Sequence, residues 1–130
     1  MTVPNRRLVL VERNPRAGIV LEHALDTHGF AVTRIESGRA FAAWEDPDVL
    51  LLVLDDDDID IFEMLIRLSS MPRRPAVVLL TRRANAHVLA DAVLESLGVD
   101  RLVAWPCRIE EITRALDQAQ SAHEPVRLVS

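Results

Sequence analysis

The sequence has 130 residues, of which 49% are apolar, and this length fits one domain with a single core. Twenty acidic and 15 basic residues give a formal net charge of −5, which argues against nucleic-acid binding through a broad basic surface. A single cysteine excludes an internal disulfide, and the longest apolar run, Val49–Leu54, is too short to cross a membrane. Charged residues interrupt the first apolar stretch of the chain, which argues against a signal peptide. We therefore expect a cytoplasmic protein with no membrane contact.

Strand and helix patterns alternate through the first half of the chain. Unbroken apolar runs are typical of strands buried on both faces. Asn14 followed by Pro15 predicts the cap and first turn of a helix, and Gly29 predicts its end. The predicted elements, in chain order, are a strand over 8–11, a helix that ends at Gly29, a strand over 30–35, a short helix after Ser37 and a strand over Val49–Leu54.

The alternation continues after an acidic loop over residues 55–60. Helical spacing of apolar residues predicts a third helix, and Pro72 and Pro75 separate it from the next strand. The remaining predicted elements are a third helix over 61–68, a strand over 76–80, a fourth helix closed by Gly98, a strand over 99–104 and a fifth helix over 109–119. This (βα)5 order predicts an α/β domain with a doubly wound parallel sheet over residues 1–121. Residues 122–130 are interpreted as a flexible tail or the start of a linker.

The segment from Gly98 to Pro106 carries a specific motif. Its sequence GVDRLVAWP resembles, position by position, the Gly-Ala-Asp-x-Tyr-Leu-x-Lys-Pro run of response-regulator receiver domains of two-component signalling. Further matches are Ser37-Gly38 at the start of the second helix, Thr81 after the fourth strand, and the spacing of Ala92 and Gly98. The resemblance covers residues 7–119. It implies a flavodoxin-like fold with strand order 2-1-3-4-5 and a role in signal transduction without enzyme activity.

The resemblance also assigns site positions. Asp55 falls at the phosphoacceptor position when counted from the apolar strand, whereas counting back from Glu63 would place Val53 there. A carboxylate at a strand end favours Asp55. Asp56 and Asp57, with Glu12 after the first strand, are interpreted as remnants of the acidic pocket, and Thr81 supplies the expected hydroxyl.

Three positions depart from the family's pattern. Arg13 stands where the second acid of the pair binds Mg²⁺, Trp105 stands where the lysine neutralises the phosphoryl group, and Leu102 replaces the aromatic switch residue. Phosphorylating a carboxylate places a dianionic group on an anion, so positive charge must offset it. We therefore predict a degenerate site that uses neither phosphate nor a metal or other cofactor.

Two local features of this site are predicted as well. The guanidinium of Arg13 can pair with Asp55 across the cleft and stand in for the metal, although Arg13 can equally point into solvent. The Trp105-Pro106 bond is expected to be cis, since the resemblance implies a cis Lys-Pro bond there.

Two alternatives for the chemistry stay open. The run Asp55 to Asp58, with Glu12 as an extra ligand, can bind Mg²⁺ weakly, which would allow an unusual receiver that accepts phosphate at Asp55. The segment LLVLDDDDI also resembles the first motif of haloacid-dehalogenase-like phosphohydrolases, with Asp55 as nucleophile, Asp57 as acid/base and Thr81 as the second motif. That enzyme needs a basic residue and a later acidic pair, and the chain has no lysine.

Partner contacts are expected on the face formed by the fourth helix, fifth strand and fifth helix. The family commonly uses this face for partners or dimers. Leu94 lies off the stripe that covers the sheet, and with Trp105 it predicts an exposed apolar patch. We expect a protein partner or a homodimer at this face.

Overall fold

The computed structural model describes residues 6–37, 47–54, 59–71, 74–82 and 95–123. Within these ranges the strands and helices follow one another in the predicted order, and most of the second and fourth predicted helices falls in the gaps. The elements are β1 Arg6–Val11, α1 Pro15–Thr27, β2 Phe30–Ile35, β3 Val49–Leu54, α2 Ile59–Ser69, β4 Ala76–Arg82, β5 Arg101–Trp105 and α3 Ile109–His123.

The five strands of the described ranges form one parallel sheet in the order β2-β1-β3-β4-β5. The predicted fold class and strand order are confirmed. Since all strands run the same way, the residues that follow them collect at one edge of the sheet. In register, Thr81 lies opposite Leu54 on β3, and Arg82 lies opposite Trp105 on β5.

The core has two layers, one on each face of the sheet. Alternating residues of the central strands point to opposite faces, so their continuous apolar runs fill both layers. Leu21 and Leu25 of α1 and Leu116 of α3 pack on one face. Met64 and Leu65 of α2 pack on the other.

The predicted ends of α1 are confirmed. The Asn14 side chain accepts hydrogen bonds from the N–H groups of Arg16 and Ala17, and Pro15 occupies the first turn. After the cap residue His28, Gly29 has φ +89°, a left-handed conformation that glycine adopts without a Cβ penalty.

Several element boundaries differ from the predicted ones. Residues 59 and 60 belong to α2 and not to an acidic loop, and α3 continues to His123, beyond the predicted domain end. A helix usually continues until a glycine or proline ends it, and residues 109–124 contain neither. Of the fourth predicted helix, residues 95 and 96 are helical and Leu97, from its apolar stripe, lies in a turn and packs against the core layer of α2. The rest of that stripe lies outside the described residues, as does most of the second predicted helix.

Candidate functional site

A cavity of about 150 Å³ opens at the carboxyl ends of β1, β3, β4 and β5. This is the edge at which open parallel sheets place their sites. Among the described residues, those that give it a polar lining are Glu12, Asn14, Thr81 and Arg82. The other described lining residues are apolar and include Leu21, Val53, Leu54, Leu80 and Trp105.

Glu12 is a buried carboxylate directly after β1. Its residue is 3% exposed, and its Oε1 atom accepts a hydrogen bond of 2.8 Å from the backbone N–H of Asn14. Its own N–H donates to the carbonyl of Ile35 at 3.0 Å, which continues the β1–β2 pairing by one residue. The predicted acidic remnant therefore lies in the cavity wall.

Arg34 is a second charged residue close to Glu12, and the sequence patterns did not indicate it. Gly18 of α1 is buried above both: a Cβ at Gly18 would lie 2.7 Å from Cδ of Arg34 and 3.4 Å from Cγ of Glu12. Nε of Arg34 donates to Glu22 at 3.1 Å, which holds the guanidinium along α1. Because Gly18 has no side chain, α1 leaves room for the aliphatic part of Arg34.

Thr81 ends the buried part of β4 and lies in the same wall. It is 1% exposed, and its hydroxyl has no hydrogen-bond partner in the part of the chain that the structure describes. The sequence placed a hydroxyl at this strand end, and the structure brings it to the cavity that Glu12 also lines.

The end of β5 contributes Trp105. The predicted cis bond between Trp105 and Pro106 is confirmed. The Trp105 side chain lines the cavity while the residue remains 36% exposed. Leu102, at the switch position, is half-buried and packs against the core layer of α2.

Other predicted site residues are not brought together by the described structure. Asp55, Asp56, Asp57 and Leu94 lie outside the described residues, so their roles remain predictions. Arg13 is exposed in the turn between β1 and α1, and its proposed pairing with Asp55 likewise stays a prediction.

The described residues do not by themselves form a ligand set for Mg²⁺. Of the described residues that line the cavity, Glu12 is the one with a carboxylate. Within the described ranges, no three His, Cys, Asp or Glu side chains come close enough to share an ion. A divalent cation at this edge would need the residues after β3.

Over the described ranges, none of the helices has the length and apolar character required to span a membrane.

No protein-family model matches the sequence, and the comparison with curated proteins found no match. Solved structures do match. A sensor protein from Polaromonas sp. JS666 superposes with a TM-score of 0.77 at 18% identity, over 93% of this chain and 100% of that one. The non-phosphorylated HemR receiver domain from Leptospira biflexa gives a TM-score of 0.76 at 19% identity, over 95% and 100% of the two chains. The chain has the receiver fold.

A third similar structure is the signal receiver domain of a signal transduction histidine kinase from Syntrophus aciditrophicus. It has a TM-score of 0.73 at 17% identity, over 96% of this chain and 97% of that one. Because these structures are matched over nearly their whole lengths, the receiver fold accounts for the entire described sheet and its helices. At such low identity the comparison establishes the fold, and the chemistry of the site must be argued from its own residues.

Proposed function

We propose that this chain is a receiver domain of a response regulator with a degenerate phosphorylation site. It acts in the cytoplasm as a protein-interaction or dimerisation module in signal transduction or transcription control, and it is not an enzyme. The receiver fold supports the general role. The residues at the carboxyl edge of the sheet support the absence of a phosphorylation switch.

The observation that carries the proposal is Trp105 in the cavity wall. The resemblance places a lysine ammonium there, and an indole supplies no positive charge to a phosphoryl oxygen. Arg13, in the turn before α1, replaces a carboxylate by a cation and offers no oxygen to a metal. A loss of about 1.4 kcal/mol of transition-state stabilisation slows a reaction tenfold, and a metal ion or a charged donor each contributes several times that amount, so losing both costs several orders of magnitude.

The surface proposed for partners includes the end of β5. Trp105 is 36% exposed, and tryptophan is a residue type that is enriched at protein interfaces. With Leu94, which the sequence pattern assigns to the fourth predicted helix, it would form an apolar patch on the face of that helix, β5 and α3. Without a phosphorylation switch, this face would stay in one binding state.

Light scattering over a concentration series tests this surface. We expect wild type to associate as concentration rises and Leu94→Glu to remain monomeric. Val20→Glu is the matched control, since Val20 is 65% exposed on α1 and lies outside the proposed surface. A wild type that stays monomeric at high concentration, or equal loss of association in both variants, would contradict the homodimer.

A phosphorylatable receiver is the second candidate function. The buried carboxylate of Glu12 favours it, because this side chain keeps an oxygen ligand at the strand edge where Mg²⁺ would lie. Phosphate would then be accepted at Asp55. No described residue favours the phosphohydrolase alternative, since β5 ends in Trp105-Pro106 without the acidic pair that enzyme needs.

A further inference from the structure

We propose that the cavity at the carboxyl edge of the sheet binds a small, neutral aromatic alcohol, a molecule of the phenol class. This site does not depend on the protein-interaction role proposed above. It rests on the size of the cavity, the chemistry of its wall and one buried hydroxyl.

The cavity has the size and wall of a site for a single aromatic ring. Its volume of about 150 Å³ is similar to that of an engineered apolar cavity, about 150 Å³, that binds benzene. Leu21, Val53, Leu54 and Leu80 line it from α1, β3 and β4. A ring of phenol size would contact these buried or half-buried side chains and fill the space beside them.

One polar group in the wall calls for a hydrogen-bonding ligand. The Thr81 hydroxyl is buried without a partner in the described structure, and such a group is destabilising until it is satisfied. A ligand hydroxyl can donate to its oxygen or accept its proton. Benzene fills the same space but leaves this hydroxyl unsatisfied, so the bound molecule should carry one hydroxyl group.

The charges and the aromatic wall restrict the ligand further. Among the described residues that line the cavity, Glu12 and Arg82 are the ionisable ones and have opposite signs, so this part of the wall favours neither an anion nor a cation. Trp105 contributes an indole beside the opening, which can make an offset or edge-to-face contact with a second ring. A neutral aromatic alcohol would hydrogen-bond to Thr81 and contact Trp105 without adding net charge beside Glu12 and Arg82.

The test compares phenol with benzene on wild type and on Thr81→Val, by saturation of NMR shifts from the methyl groups of Leu21 and Leu80. We expect wild type to bind phenol about fivefold more tightly than benzene, as one added hydrogen bond predicts. Thr81→Val should bring the two affinities to within about twofold, by the same arithmetic. Thr33→Val is the control, because Thr33 is exposed on β2, away from the cavity, and should leave the preference unchanged.

Ala17→Leu provides a second variant, since Ala17 lines the cavity and a larger side chain there would fill it. Phenol binding should then fall at least tenfold with the circular dichroism spectrum unchanged. Should Ala17→Leu not fold, Thr81→Val alone decides the question. The proposal is overturned if wild type shows no saturable phenol shifts, or if Thr81→Val keeps the wild-type preference for phenol over benzene.

Discussion

The buried carboxylate of Glu12 accepts a hydrogen bond of 2.8 Å from the backbone of Asn14, and the Asn14 side chain in turn caps α1. Asn14 therefore connects Glu12, in the cavity wall after β1, to the first turn of α1. These hydrogen bonds fix where α1 starts relative to the cavity. Substitutions can remove them one at a time.

Asn14→Ala should lower the free energy of unfolding by about 1 kcal/mol. The substitution removes the side-chain acceptor for the N–H groups of Arg16 and Ala17, and lost caps of this kind cost about 0.5–2 kcal/mol. Urea denaturation followed by circular dichroism measures the change. Arg16→Ala is the control, because it leaves both N–H donors in place, and an equal loss there would show that the cap contributes nothing.

Thr81→Val should stabilise the protein by about 1 kcal/mol. A methyl group in place of the hydroxyl removes a buried polar atom that has no partner in the described structure, and such atoms cost about 1–3 kcal/mol. Thermal and urea denaturation in the absence of ligand both report it. A clear loss of stability would mean that the hydroxyl makes a contact that the described residues do not show.

Gly18→Ala should fail to stabilise α1, although alanine in a helix interior is usually better than glycine by about 1 kcal/mol. The new Cβ would lie 2.7 Å from Cδ of Arg34, whose Nε is held by Glu22. Combined with Arg34→Ala, the same substitution should recover most of that gain. A double-mutant cycle from urea midpoints measures the coupling, and additive effects would show that Arg34 moves aside without cost.

Gly98→Ala should cost more than Gly29→Ala, by roughly 1 kcal/mol. Both glycines have positive φ, +80° and +89°, so both substitutions carry the strain of a left-handed alanine. At Gly29 the space for a Cβ is open, whereas at Gly98 the Arg74 guanidinium occupies it and donates to the carbonyl of Leu97 at 3.3 Å. Equal losses in unfolding experiments would rule out a role for Arg74 in this turn.

The sequence predicts the strands and the ends of α1 well, for a local reason. Runs such as Val49–Leu54 have no polar face, and Asn14, Pro15 and Gly29 act on their own neighbours. The positions of Glu12, Thr81 and Trp105 at one cavity also follow, because parallel strands end at one edge.

The rest of the site depends on contacts between distant parts of the chain. Arg34 can lie close to Glu12 because Gly18, on α1, has no side chain to occupy the same space. No local pattern in the sequence indicates this contact between three elements. The sequence likewise underestimates the length of α3, in which Ser121, Ala122 and His123 continue a helix whose buried apolar stripe ends at Ala119. Side-chain periodicity marks the buried face and does not mark the last turn.

The most direct test of the central proposal is the intact mass of the protein after incubation with Mg²⁺ and a small phosphodonor. A receiver domain known to accept phosphate, treated in parallel, is the positive control. We predict no phosphate adduct on wild type, because Trp105 and Arg13 stand where the site requires a lysine and a metal-binding carboxylate. A substantial adduct that disappears in Asp55→Asn would contradict the proposal and establish a phosphorylatable receiver.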